Sequence, residues 1–129
     1  MLYAILCYNS EAAIGAWSKQ HHDETMARLH AVNDKLARQG RLGPVARLLP
    51  TTAATTLRKG RENLVIDGPF AVTKEQLLGF YLVEFGSLHG AVGRAKVLAV
   101  PNPATGSYEI RPVAELHDHK LAVERKPAA

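Results

Sequence analysis

Asp67-Gly68-Pro69-Phe70, continuing through Thr73-Lys74-Glu75-Gln76, joins the apolar run Leu64-Val65-Ile66 to the most apolar strand candidate in the chain, Gly79 to Phe85. Gly68 can take backbone angles that other residues avoid, and Pro69 fixes its own φ and restricts its neighbour. Asp67 carries a short carboxylate suited to accepting nearby backbone N–H groups. Thr73 and Gln76 have the spacing of a capping box. The stretch therefore predicts a strand end, a sharp turn and a helical turn that Gly79 terminates.

Working outward, residues 2–8 predict a first strand with Leu2, Ala4 and Leu6 on one face and Tyr3, Ile5 and Cys7 on the other. Residues 79–85 alternate in the same way, Phe80 and Leu82 against Tyr81, Val83 and Phe85. Both strands are apolar on both faces, so both belong in the middle of a sheet with cover on each side. Residues 9–15 read as a connection. Ser18 caps a helix running to about Gln39, with Met26, Leu29, Val32 and Leu36 as its apolar stripe and Gly40 as its stop signal. A strand follows at Val45–Leu49. A hairpin then pairs residues 54–58 with 63–67 around Lys59-Gly60-Arg61-Glu62. Ser87 caps a second helix, stopped by Pro101-Asn102-Pro103. Ser107–Val113 alternates as a last strand with one wet face, and Pro112 suits a sheet edge.

The order is β-α-β-(hairpin)-β-α-β. This is an α+β chain, ferredoxin-like, with an antiparallel sheet whose first and third core strands are central. Two helices cover only one face of such a sheet. The simplest cover for the other is a second copy, giving a homodimer that forms an α/β barrel.

Composition agrees with an ordinary globular domain. The chain has 129 residues, 47% of them hydrophobic and 22% charged, enough for one core. No apolar run is long enough for a membrane helix. The N-terminal run lacks a basic flank and reads as a strand, not a signal peptide. A single cysteine, Cys7, excludes an internal disulfide and suits a reducing cytoplasm. The net charge of +4 permits an anionic ligand, but the basic residues are scattered, so no nucleic acid is expected.

DGPF followed by T-K-E-Q and G-F-Y-L resembles the DGPF-domain branch of the YCII-related proteins. Ala54-Thr55-Thr56-Leu57-Arg58 and Glu109-Ile110-Arg111-Pro112-Val113 fit the same pattern. The resemblance covers residues 1–116 and leaves 117–129 as a polar tail. It implies the ferredoxin-like fold and the dimeric barrel, and it defines no activity.

Asp67 is the leading candidate for chemistry, as a general base or as the partner of a histidine in a cleft between sheet and helix. Asp-Gly-Pro is also a sound turn sequence on its own, which makes Asp67 a turn-former that satisfies local N–H groups. The family resemblance implies a first-helix histidine as its partner. Counted back from Gly40-Arg41-Leu42, the expected positions hold Leu29 or Val32, and His30 stands one residue away. His22 falls on the apolar stripe of the helix and suits a buried role better. Gly68, Pro69, Phe70, Lys74, Glu75 and Tyr81 are candidates for ligand binding. Of these, Lys74 and Glu75 also suit a solvated turn, and Phe70, Phe80 and Tyr81 also suit core packing. His21-His22-Asp23 and His117-Asp118-His119 fit no zinc spacing, so no metal site is expected. There is no dinucleotide fingerprint, Walker loop or nucleophile elbow, and no cofactor is expected. Two functional readings remain. One is a cofactor-free enzyme using Asp67 and His30 on a small anionic or aromatic molecule. The other is a non-catalytic ligand-binding or interaction module.

Overall fold

The computed structural model describes residues 1–102, 105–119 and 121. Nine elements follow in order: β1 (Leu2–Asn9), α1 (Glu11–Gly15), α2 (Lys19–Arg38), β2 (Leu42–Arg47), β3 (Thr55–Arg58), β4 (Leu64–Asp67), β5 (Gln76–Glu84), α3 (Leu88–Ala99) and β6 (Ser107–Pro112). A single 3₁₀ turn, Thr51–Ala53, lies between β2 and β3. The main sheet has the order β2-β5-β1-β6 and every neighbouring pair is antiparallel. β3 and β4 form a separate two-stranded hairpin. The architecture is α+β with antiparallel sheets, consistent with the ferredoxin-like order expected from the pattern, and within one chain the sheet stays open.

The two strands that are apolar on both faces, β1 and β5, occupy the centre. Their faces separate cleanly. Tyr3, Ile5, Tyr81, Val83 and Phe85 are buried with Leu36 of α2 and Ala91, Ala95 and Leu98 of α3. The alanines keep the α3 side thin enough for close packing on the sheet. Ile5, Leu36, Val83 and Leu98 are fully buried, each contributing roughly 1.5–3 kcal/mol of transfer free energy. Leu2, Ala4, Leu6, Phe80 and Leu82 lie on the opposite, helix-free face and are half-buried.

Local signals account for the helix ends. Ser18 Oγ accepts from His21 N at 3.0 Å, and Ser87 Oγ from Gly90 N at 3.2 Å. Gly40, just past α2, has φ 68°, which an L side chain resists. Residues 9–15 are more than a connection: Glu11–Gly15 is helical, with Ser10 Oγ accepting from Ala13 N at 3.1 Å.

Two expectations are corrected. β2 spans Leu42–Arg47, not Val45–Leu49, and its register shifts between Leu42 and Val45, where Pro44 sits in an edge strand. The helical turn expected at residues 73–76 is absent, because β5 begins at Gln76. Gly79 ends nothing. It lies buried inside β5, where a Cβ would fall 2.2 Å from the Ala46 carbonyl oxygen of β2. The glycine is required by that close approach, not by a helix end. Pro103, part of the expected stop after α3, and most of the polar tail lie outside the described residues.

Candidate functional site

The site forms at one end of the sheet, where β1 finishes and β5 starts. A register shift between Cys7 and Tyr8 sets Tyr8 opposite Leu77 and Asn9 opposite Gln76. Two loops fold over this corner, residues 48–54 leaving β2 and residues 68–75 leaving the hairpin. Between them is a cavity of about 700 Å³. Its walls are apolar: Leu48, Leu49, Pro50, Ala53 and Ala54 from one loop, Pro69, Phe70 and Ala71 from the other, and Leu77 from β5. Its polar side chains are Tyr8, Thr51, Thr56, Thr73, Glu75 and Gln76. A second cavity of about 420 Å³ shares Pro50, Thr51 and Gln76 with the first and adds Glu11, Ala12 and Thr52.

A hydrogen-bonded latch holds the corner. The Glu11 carboxylate accepts from Thr51 N at 2.7 Å and from Thr51 Oγ1 at 2.6 Å. Glu11 N in turn donates to Gln76 Oε1 at 2.9 Å, and Gln76 Nε2 donates to Thr73 O at 2.6 Å. One carboxylate thus ties α1 to the 48–54 loop, while Gln76 ties α1 and the 68–75 loop to β5. Charge-assisted bonds of this kind are stronger than neutral ones.

The base of the hairpin is closed by Gly68 N donating to Ala54 O at 2.8 Å and Thr56 Oγ1 donating to Gly68 O at 2.8 Å. Gly68 itself has φ 112°, the turn geometry expected of it. The hairpin register pairs Thr55 with Asp67 and Leu57 with Val65, so these four share one face. Thr56 and Ile66 pair on the other face, and Thr56 lines the cavity.

The structure separates the candidates. Asp67 is exposed, on the hairpin face turned away from Thr56, and lines neither cavity. It belongs to the hairpin and not to a cleft between the main sheet and its helices. His30 is exposed on α2, and no hydrogen bond joins it to Asp67 among the described residues. His22 is half-buried, with Nδ1 3.5 Å from Asp23 Oδ1. Pro69, Phe70 and Glu75 do line the larger cavity, with Gly68 setting the turn beside them. Lys74 is exposed and outside the lining. Tyr81 is buried on the helix-facing side of the sheet, away from both cavities. Phe80 lies on the helix-free face.

Behind the sheet, Tyr81 forms a polar island with Cys7, Tyr108 and Asn33. Burial pushes the Cys7 thiol up to about 12. Burial also raises Tyr81, with Cys7 adding to the shift and the nearby Asn33 amide opposing it. Burial, then Cys7 and Tyr81, raise Tyr108, whose hydroxyl donates to Leu98 O at 3.3 Å. All three groups stay protonated near neutral pH. Among the described residues no three His, Cys, Asp or Glu side chains converge as metal ligands, and His117 instead meets Glu115.

Sequence reading missed Glu11, Thr51 and Tyr8. Glu11 and Thr51 are 40 residues apart, and no local pattern joins them.

The sequence profile of the YCII-related domain matches residues 1–117. An uncharacterised protein of Rhizobium meliloti (strain 1021) is 57% identical over 115 residues, covering 88% of this chain and 93% of its own.

Proposed function

We infer that this chain, which belongs to the YCII-related family, is a small-molecule-binding module that holds its ligand in the cavity between the sheet end and the hairpin loops. The observation that carries this reading is the cavity itself: about 700 Å³, walled mainly by apolar groups, with its loops latched in place by Glu11 and Gln76. Such a volume matches ordinary small-molecule sites. Binding ranks ahead of catalysis because an acid–base pair must reach one ligand, and the lining contains neither Asp67 nor His30. The ligand-binding group supported by the geometry is Pro69, Phe70 and Glu75, joined by Tyr8 and Leu77.

The module works as a cytoplasmic homodimer. The helix-free face of the sheet, with Leu2, Ala4, Leu6, Phe80 and Leu82, supports pairing with a second copy, which would complete the α/β barrel. Among the described residues no helix is long and apolar enough to cross a membrane.

The cavity is tested with a neutral apolar probe, 3-phenylpropan-1-ol, followed by amide NMR shifts. Shifts should concentrate at Tyr8, Thr51, Gln76 and Leu77. Ala71→Trp, at an exposed lining position, should abolish them without lowering the melting temperature. Shifts scattered over the surface, or unchanged by Ala71→Trp, overturn the reading.

A further inference from the structure

We propose that the ligand is an apolar molecule bearing an amino group, with the Glu75 carboxylate as its counter-ion and the Tyr8 hydroxyl as its second polar contact. This rests on the cavity being the binding site and names the chemistry it selects.

Most polar side chains of the lining are already engaged within the protein. Thr51 donates its hydroxyl to Glu11, Thr56 to Gly68 O and Thr73 to Glu75 O. Gln76 uses its amide oxygen for Glu11 N and its amide nitrogen for Thr73 O. Glu75 accepts from Ser107 Oγ at 3.0 Å through Oε1, and its Oε2 has no partner among the described residues. The Tyr8 hydroxyl is likewise without a partner among the described residues. Two polar atoms therefore remain without a partner among the described residues, a carboxylate oxygen and a phenol oxygen.

Charge fixes the sign. Among the described residues, Glu75 is the one charged group in the lining of the larger cavity, which holds no Lys, Arg or His. Glu75 is half-buried and forms no salt bridge among the described residues. A carboxylate beside apolar walls is stabilised by a cation and repels an anion. The anionic ligand suggested by the net charge has no cation to meet it among the described residues of the lining. A protonated amine can donate to Glu75 Oε2 and to the Tyr8 oxygen, while its hydrocarbon body fills the space between Leu48, Leu77 and Phe70.

The test compares three probes of one skeleton: 3-phenylpropylamine, 3-phenylpropan-1-ol and 3-phenylpropanoate. Titrations are done on wild type and on Glu75→Gln, which keeps an acceptor for Ser107. The amine should bind wild type about ten-fold more tightly than the alcohol, with the carboxylate weakest. Glu75→Gln should erase the amine's advantage over the alcohol. Alcohol binding without preference for the amine, or a preference that survives Glu75→Gln, overturns the ligand class and leaves the cavity standing. Failure of all three to bind overturns both.

Discussion

Asp67 and Gly68 are neighbours with different duties, and substitution separates them. The Asp67 carboxylate is exposed and has no hydrogen-bond partner among the described residues, whereas Gly68 holds φ 112° and bonds through both its N–H and its carbonyl. Asp67→Asn and Asp67→Ala should therefore both stay within about 0.5 kcal/mol of wild type in urea unfolding. Gly68→Ala should cost about 1–2 kcal/mol, since an L side chain resists that φ. A loss for Asp67→Ala as large as that for Gly68→Ala would reveal a carboxylate with a structural partner. The turn was thus half legible. The glycine geometry is local and could be read from Asp-Gly-Pro. Two other local readings failed for one reason: Thr73 and Gln76 matched a capping box, and Gly79 matched a helix stop, but both positions answer to distant chain. Gln76 serves Glu11, 65 residues away, and Gly79 makes room for Ala46.

At the scale of elements, α1 is instructive. Five residues cannot sustain a helix alone, and α1 stands because Ser10 caps it and Glu11 is fastened to Thr51 and Gln76. Glu11→Ala should release the loop 48–54. Hydrogen exchange at the Thr51 amide should quicken by about ten-fold or more. Glu11→Gln, which keeps one acceptor oxygen, should fall between. Unchanged protection at Thr51 in Glu11→Ala would mean that the loop is held by its 3₁₀ turn. The β3–β4 hairpin is the opposite case. Its turn at residues 59–62 and its strands were legible from composition, because their pairing is local. Its separation from the main sheet was legible too, since the order β-α-β-(hairpin)-β-α-β set it outside the core strands. Leu57 is 54% exposed and Val65 66%.

For the whole molecule, the two-faced strands were the informative signal. Their central placement followed from pattern alone, but which face met the helices depended on register with β2 and β6, beyond any single strand. With Tyr81, Val83 and Phe85 committed to the core, the proposed dimer rests on Phe80 and Leu82. Leu82→Asp should yield monomer or aggregate in sedimentation, because an unpaired charge would be trapped between the sheets. A wild-type chain that sediments as a compact monomer at micromolar concentration removes the pairing. A second global property is alkaline sensitivity. Cys7 titrates at about 12 in the folded chain against 9.0 for an ordinary thiol, so the unfolded chain loses its proton first. Its stabilising contribution is full below about pH 9 and is lost as pH rises toward 12, and the raised Tyr81 and Tyr108 act in the same direction. Melting temperature should fall as pH rises above about 9, and Cys7→Ala should flatten that fall.

The strand order also sets a schedule for synthesis. β1 leaves the ribosome before either of its neighbours, β5 and β6, has been translated. Until they arrive, Leu2 to Tyr8 is an unpaired, uncharged, two-sided apolar segment, the kind that nascent chains stick together by. Its early companions are α1, α2 and β2, and β2 does not pair with it. The stretch most in need of a holding chaperone is therefore the one at the heart of the finished sheet, and a pause in translation before β5 is where this chain is most exposed to aggregation.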